Sequence, residues 1–253
     1  MLRLWVLLAA LAMPVVNYLA LAGVLGPDVG EVSNRFPTLI VAAGYAFSIW
    51  GPIFALVVAF GVYQMLPASA SKAMLERLRI PAAIAFTLTA VWTPIFIHGY
   101  FCTAALVLAL TCAVLTVALL RADASWNDSG SARWLVWPCF SVFTAWVSLA
   151  AFLDVGQVLV AYRVDTGPAE LTCSVLILLA AASLLLFVNQ RLRGNLLYVA
   201  TALWALLAIC VAQTQKVDDA AHTTGWLALG IAAVLLAHYA WLKLVPLQSL
   251  RTA

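Results

Sequence analysis

Apolar residues run along this chain in long blocks separated by short polar connections. The blocks fall at about 4–25, 39–66, 81–101, 102–120, 134–161, 171–189, 196–214 and 224–245. A hydrocarbon core of ~30 Å needs about 20 helical residues at 1.5 Å each, so each block predicts one membrane-spanning helix. The third and fourth blocks are nearly continuous, and their joint length of about 40 residues spans twice. A tight turn is therefore expected near Gly99–Thr103. The pattern predicts an all-α, polytopic membrane bundle of about eight spans.

The connections, such as PDVGEVSNRFP, QRLRGN and QKVDDAAHT, are too short to hold a soluble catalytic domain. An even number of spans puts both termini on one side. That side collects Arg3, Lys72, Arg77, Arg79, Arg121, Arg133, Arg191, Arg193, Lys243 and Arg251, against Arg35, Arg163 and Lys216 on the other. Basic residues mark cytoplasmic loops, so both termini are expected in the cytoplasm, in a bacterial inner membrane. The opening MLRLWVLLAALAMPVVNYLA also has features of a signal peptide. Its apolar run is long enough to span, and Asn17 and Tyr18 fit a signal core poorly, which favours an uncleaved first helix.

Composition sharpens this picture. The chain is 66% hydrophobic and 9% charged, with mean hydropathy +1.06. Soluble domains are about 45–50% apolar and about 25% charged. The net charge of +3 reflects the cytoplasmic loops. It makes no basic run or stacking platform, so nucleic acid is excluded as a partner. Cys102, Cys112, Cys139, Cys173 and Cys210 stand singly in apolar segments, without metal or disulfide spacing. No paired carboxylates, histidine cluster or nucleophile–base set points to an enzyme.

Three spans carry a tryptophan far from either membrane surface. Trp50, Trp92 and Trp146 each lie about 11 residues inside a span, at a depth of ~17 Å. Indoles favour the interface because their N–H wants a partner, so three at mid-depth point to a shared interior site; space-filling between helices is the plain alternative. The surrounding sequences are FSIWGPIF in span two, WTPIF in span three, and WVSLAAFLD in span five, with Asp154 eight residues after Trp146. Pro94 removes a backbone donor two residues beyond Trp92 and frees a carbonyl near Ala90. Asp154 is the one acid inside a predicted span; Arg35 or Arg163 is its expected partner, since an isolated acid there costs at least ~2.5–3.5 kcal/mol. His98 is a candidate contact for a ligand carboxylate or a metalloporphyrin iron, and backbone-bonded interfacial histidine is the alternative. Asn17, Gln157, Gln213 and Gln215 are expected to make interhelical hydrogen bonds.

The combination of Trp92-Thr93-Pro94-Ile95-Phe96 with the Trp146 and Asp154 spacing resembles the TspO/MBR family, the translocator or tryptophan-rich sensory proteins. The likeness covers about residues 1–162, the family's five-helix fold, and leaves 163–253 as a three-helix extension. The family's Trp-x-Pro-Pro loop is reduced here to Phe36-Pro37, and its asparagines are replaced by Thr89 and Asp154. The resemblance implies a membrane receptor or transporter for a flat hydrophobic ligand, a tetrapyrrole, sterol or similar molecule. Trp50, Phe54, Thr89, Trp92, Phe96, His98, Trp146, Asp154 and Arg35 are then the candidate contacts. It implies no obligatory cofactor, with porphyrin or haem as a ligand, and leaves porphyrin breakdown open. Membrane lipid, and a homodimer mate or membrane-complex partner, complete the expected partners. His238 lies in a Leu236/Tyr239/Lys243 pattern proposed for cholesterol contact, but on the eighth span, where the family does not place it. Two other functions compete: a proton-coupled transporter using Asp154, and a scaffold subunit docking through the last three spans.

Overall fold

The computed structural model describes residues 1–67, 73–124, 133–164 and 169–244. Lys72, Trp126 and Arg251, named above, lie outside them. The described residues form helices α1 (Leu2–Leu21), α2 (Val29–Arg35), α3 (Trp50–Tyr63, entered through a 3-10 turn at Gly44–Ile49), α4 (Ala73–Ile97) and α5 (Phe101–Ala124). They continue with α6 (Arg133–Ala161), α7 (Glu170–Arg191), α8 (Leu196–Thr214) and α9 (Asp219–Leu244). Eight of these segments are long and apolar enough to cross a membrane, as the hydropathy pattern predicts. The protein is an integral membrane protein on that architecture.

Several boundaries differ from expectation; span eight, for one, begins at Asp219 rather than at residue 224. Span two was expected from residue 39, yet helical structure begins only at Gly44. The stretch Leu39–Ala42 is apolar because it is largely buried as a non-helical segment: Leu39, Ile40 and Ala42 are all buried. Span three begins earlier, at Ala73, because Met74, Leu75 and Leu78 give the added turns a buried face. The expected turn between spans three and four is present. Gly99 takes φ 82°, and the Gly99 and Tyr100 amides bond back to the Phe96 and Ile95 carbonyls at 3.0 and 3.1 Å. Only glycine adopts that conformation without strain, which ends α4 and lets α5 start at once.

The amphipathic α2 is new relative to the hydropathy reading. Asp28 caps it by accepting from the Glu31 amide at 2.9 Å, and Arg35 pairs with Glu31 one turn back at 2.5 Å. Its apolar side, Val29 and Val32, is buried.

Helix α6 is the hub. Every residue from Ser141 to Leu149 is buried, and α3, α5, α7 and α8 all pack on it. Helix α1 packs on α3 and α4, and α9 on α7 and α8. Arg3 ties the start of α1 to the end of α3. Its guanidinium donates to the Gln64 and Met65 carbonyls at 2.8 and 2.5 Å, and the Gln64 amide returns a bond to the Arg3 carbonyl at 2.7 Å. A cation on the last carbonyls of a helix satisfies groups the helix cannot.

Close approach of α1 and α3 depends on Gly61. A methyl added there would lie 2.9 Å from Ala10 Cβ, with the Leu7 backbone behind it at 3.5 Å. Gly61→Val is therefore expected to lower stability by about 1–3 kcal/mol through overpacking. Thermal or denaturant unfolding in detergent measures it; an unchanged midpoint means the two helices part freely.

Candidate functional site

The three mid-depth indoles come together. Trp50 begins α3, Trp92 lies in α4 and Trp146 in α6, and each is at least nine-tenths buried. Trp50 and Trp146 stand 6.2 Å apart with planes at 80°, and Phe47 meets Trp146 at 6.1 Å and 77°. With Val41, Ala42, Phe96, Leu108, Leu153, Asp154 and Gln157, these rings enclose a cavity of about 50 Å³. Phe54, outside the cavity lining, stacks on Trp50 at 5.4 Å, and Phe96, within the lining, stacks on Trp92 at 4.9 Å.

Asp154 has a different partner from the one its charge called for. The Trp92 indole N–H donates to its carboxylate at 2.9 Å. Arg35 is engaged with Glu31 on the exposed side of α2, and Arg163 is exposed at the end of α6, so neither reaches it. The acid sits against an indole because both face the same buried cavity; a guanidinium from a surface loop would need to be desolvated to join it. Trp146 presents the opposite case. Its indole nitrogen is buried without a hydrogen-bond partner among the described residues, while its ring lines the cavity.

Several predicted contacts stand elsewhere. His98 is exposed and its Nδ1 donates to the Pro94 carbonyl at 2.8 Å, which fits the backbone-bonded alternative and takes it away from the cavity. That carbonyl is one turn back along the same helix, so the pairing is local. Thr89 is buried but its hydroxyl bonds the Ala85 carbonyl at 2.8 Å, and it does not line the cavity. Arg35 lies outside it for the reason given. His238, on α9, sits between Asn189 and Gln190 of α7 at 3.0 and 2.8 Å and does not line the cavity.

The connection between the first two spans covers the cavity: Ser33, Thr38, Val41 and Ala42 form part of the lining. The closing segment has its backbone groups satisfied from the end of the chain. Gln213 on α8 donates to the Val41 carbonyl at 2.7 Å, Lys216 to Thr38 at 3.0 Å, and the Thr224 hydroxyl to Leu39. The Ala43 amide donates to the Ala208 carbonyl at 3.0 Å, and the Trp204 indole to Ala46 at 3.2 Å. On the other flank Gln157 donates to the Phe36 carbonyl at 3.3 Å. Irregular backbone at membrane depth needs such donors, since lipid offers none. Gln157 thus joins α6 to Ser33 of α2 as well as to the loop beyond it, as an interhelical role requires, whereas Gln213 serves the loop; Asn17 and Gln215 make no side-chain hydrogen bond among the described residues. Burial pushes the Lys216 ammonium below the usual lysine range, opposed by the nearby Asp218 and Glu170 carboxylates.

A second chamber of about 230 Å³ adjoins the first and shares Val29, Phe47 and Trp50 with it. Asn17, Ala20, Leu21, Asp28, Gly30 and Gly44 complete its lining, and it opens where Leu21 and Gly44 are exposed. Sequence reasoning missed this chamber. Asn17 in an apolar helix was its one visible sign.

Comparison with known proteins gives one positive result. The family model described as TSPO-like protein matches residues 3–241, which runs past residue 162 through α7 and α8 and most of α9. No curated protein and no solved structure matches the chain.

Proposed function

Since the chain belongs to the TSPO-like protein family, we propose that it is a receptor or transporter that binds a hydrophobic ligand in the cavity walled by Trp50, Trp92 and Trp146. The supporting observation is the unpartnered Trp146 N–H on a closed, aromatic wall. A buried donor without a partner costs about 1–3 kcal/mol, a cost that a ligand acceptor relieves. The indoles supply flat faces, and the segment 38–43 is the element that moves to admit a ligand. Size sets a condition on that ligand. Drug-sized pockets run to about 300–1,000 Å³, whereas this cavity is about 50 Å³. A tetrapyrrole or sterol enters only with the loop lifted.

Tryptophan fluorescence during titration with a porphyrin, a sterol and a small planar aromatic tests the reading. Trp92→Ala is expected to weaken whichever ligand binds by about tenfold, since ring stacking adds about 0.5–1.5 kcal/mol to the area contribution. Trp226→Phe and Trp241→Phe, on the exposed face of α9, leave affinity unchanged. Equal affinity in a folded Trp92→Ala variant sinks the assignment. Asp154 on the cavity wall also favours proton coupling as a second reading. Asp154→Asn with intact equilibrium affinity but no uptake is its signature.

Both termini are proposed to be cytoplasmic, on the basic-residue bias. Cys102, exposed at the α4–α5 turn, then lies on the outer side. A membrane-impermeant maleimide should label it in intact cells; labelling only after lysis reverses the orientation.

A further inference from the structure

We propose that the ligand is a lipophilic organic amine. Its ammonium group sits among Trp50, Trp92, Trp146 and Asp154, and its apolar body lies in the adjoining chamber. The inference rests on the site assigned above and adds the ligand's charge and class.

Ring geometry is the first support. Walls crossing at 80° and 77° around one small space form an aromatic box. The negative faces of such rings attract a desolvated cation, and quaternary ammonium ligands are recognised this way. Charge is the second. Asp154 is 8% exposed, and its partner is a neutral indole N–H, with no cation paired to it among the described residues. Asp28 lines the adjoining chamber, and no Lys, Arg or His appears in the described lining of either space. A carboxylate buried without a counter-charge is the group that an incoming ammonium satisfies. A carboxylate-bearing ligand, such as a porphyrin with its propionates, would bring anions to these acids.

Size and hydrogen bonding narrow the class. About 50 Å³ admits a head group and not a ring system, and the adjoining 230 Å³ receives an apolar body past Phe47 and Trp50. Trp146 N–H asks for an acceptor beside the cation. The best fit is therefore a tertiary or quaternary amine with an ether or ester oxygen a few bonds from nitrogen, attached to an aromatic or aliphatic body.

A charge-only comparison tests this on the full-length protein in nanodiscs. Benzoylcholine is titrated against 3,3-dimethylbutyl benzoate, which replaces the trimethylammonium by a neutral group of the same shape. Benzoylcholine is expected to bind at least tenfold more tightly. Asp154→Asn should remove most of that preference, bringing the two affinities to within a few-fold of each other. Equal affinities, tighter binding of a dicarboxylate porphyrin, or no benzoylcholine binding each overturn the amine proposal. Trp50→Ala separates this failure from a wrong site. If it weakens the neutral ester or the porphyrin, the site stands and only the charge class falls. If no bound ligand responds to it in a folded variant, the site itself is misplaced.

Discussion

Trp92→Phe and Asp154→Leu are each expected to destabilise the protein by about 1–3 kcal/mol, and the double variant by clearly less than their sum. The reason is the hydrogen bond from the Trp92 indole to Asp154 inside the bundle. Removing the carboxylate leaves a buried N–H without an acceptor. Removing the indole nitrogen leaves a buried acid without its donor. Removing both leaves two apolar groups, which a membrane interior accepts. Asp154→Asn keeps an acceptor oxygen and should stay near wild type. Denaturant titration in mixed micelles measures all four variants. Strictly additive losses would mean that the two side chains do not interact.

Gln213→Leu should release the segment that closes the cavity. The variant loses the donor to the Val41 carbonyl and the acceptor of the Lys216 ammonium. Each bond to a buried backbone group contributes about 1 kcal/mol, and about 1.4 kcal/mol is a tenfold population change. Hydrogen exchange of residues 39–43 is expected to speed up about tenfold, with ligand association rising alongside. Helices α4 and α5 should exchange as before. Slow exchange at 39–43 in this variant would assign the closure to packing of Ile40 on Gly156 instead. A methyl on Gly156 would meet the Ile40 side chain at 2.9 Å, so that contact is already tight.

Hydropathy alone carried most of the architecture. Eight runs long enough to span are eight candidate spans, because lipid forces the backbone of each into a helix. The tryptophan cluster was legible for a related reason: an indole far from the interface needs an interior partner. The carboxylate's partner was not. Charge pairing pointed to Arg35 and Arg163, but sequence does not reveal that α2 turns Arg35 outward, toward Glu31. The apolar run Leu39-Ile40-Val41-Ala42 reads as helix by composition, and only its donors on α8, on α9 and in the turn between them reveal a buried loop. Those donors are Gln213, Lys216 and Thr224, polar residues near span ends that look like ordinary interfacial positions. Their acceptors are main-chain carbonyls, which no side-chain pattern can signal.

The reliance of residues 38–46 on α8 and α9 also sets an order of events during synthesis. The first six helices leave the ribosome with the Thr38, Leu39 and Val41 carbonyls still lacking their side-chain donors, which arrive more than 170 positions later. A nascent chain stalled after α6 would hold its aromatic chamber under a loop tied down only at its Phe36 end, by Gln157. Completion of the last helix pair is thus the step at which the newborn protein becomes able to close its aromatic cavity.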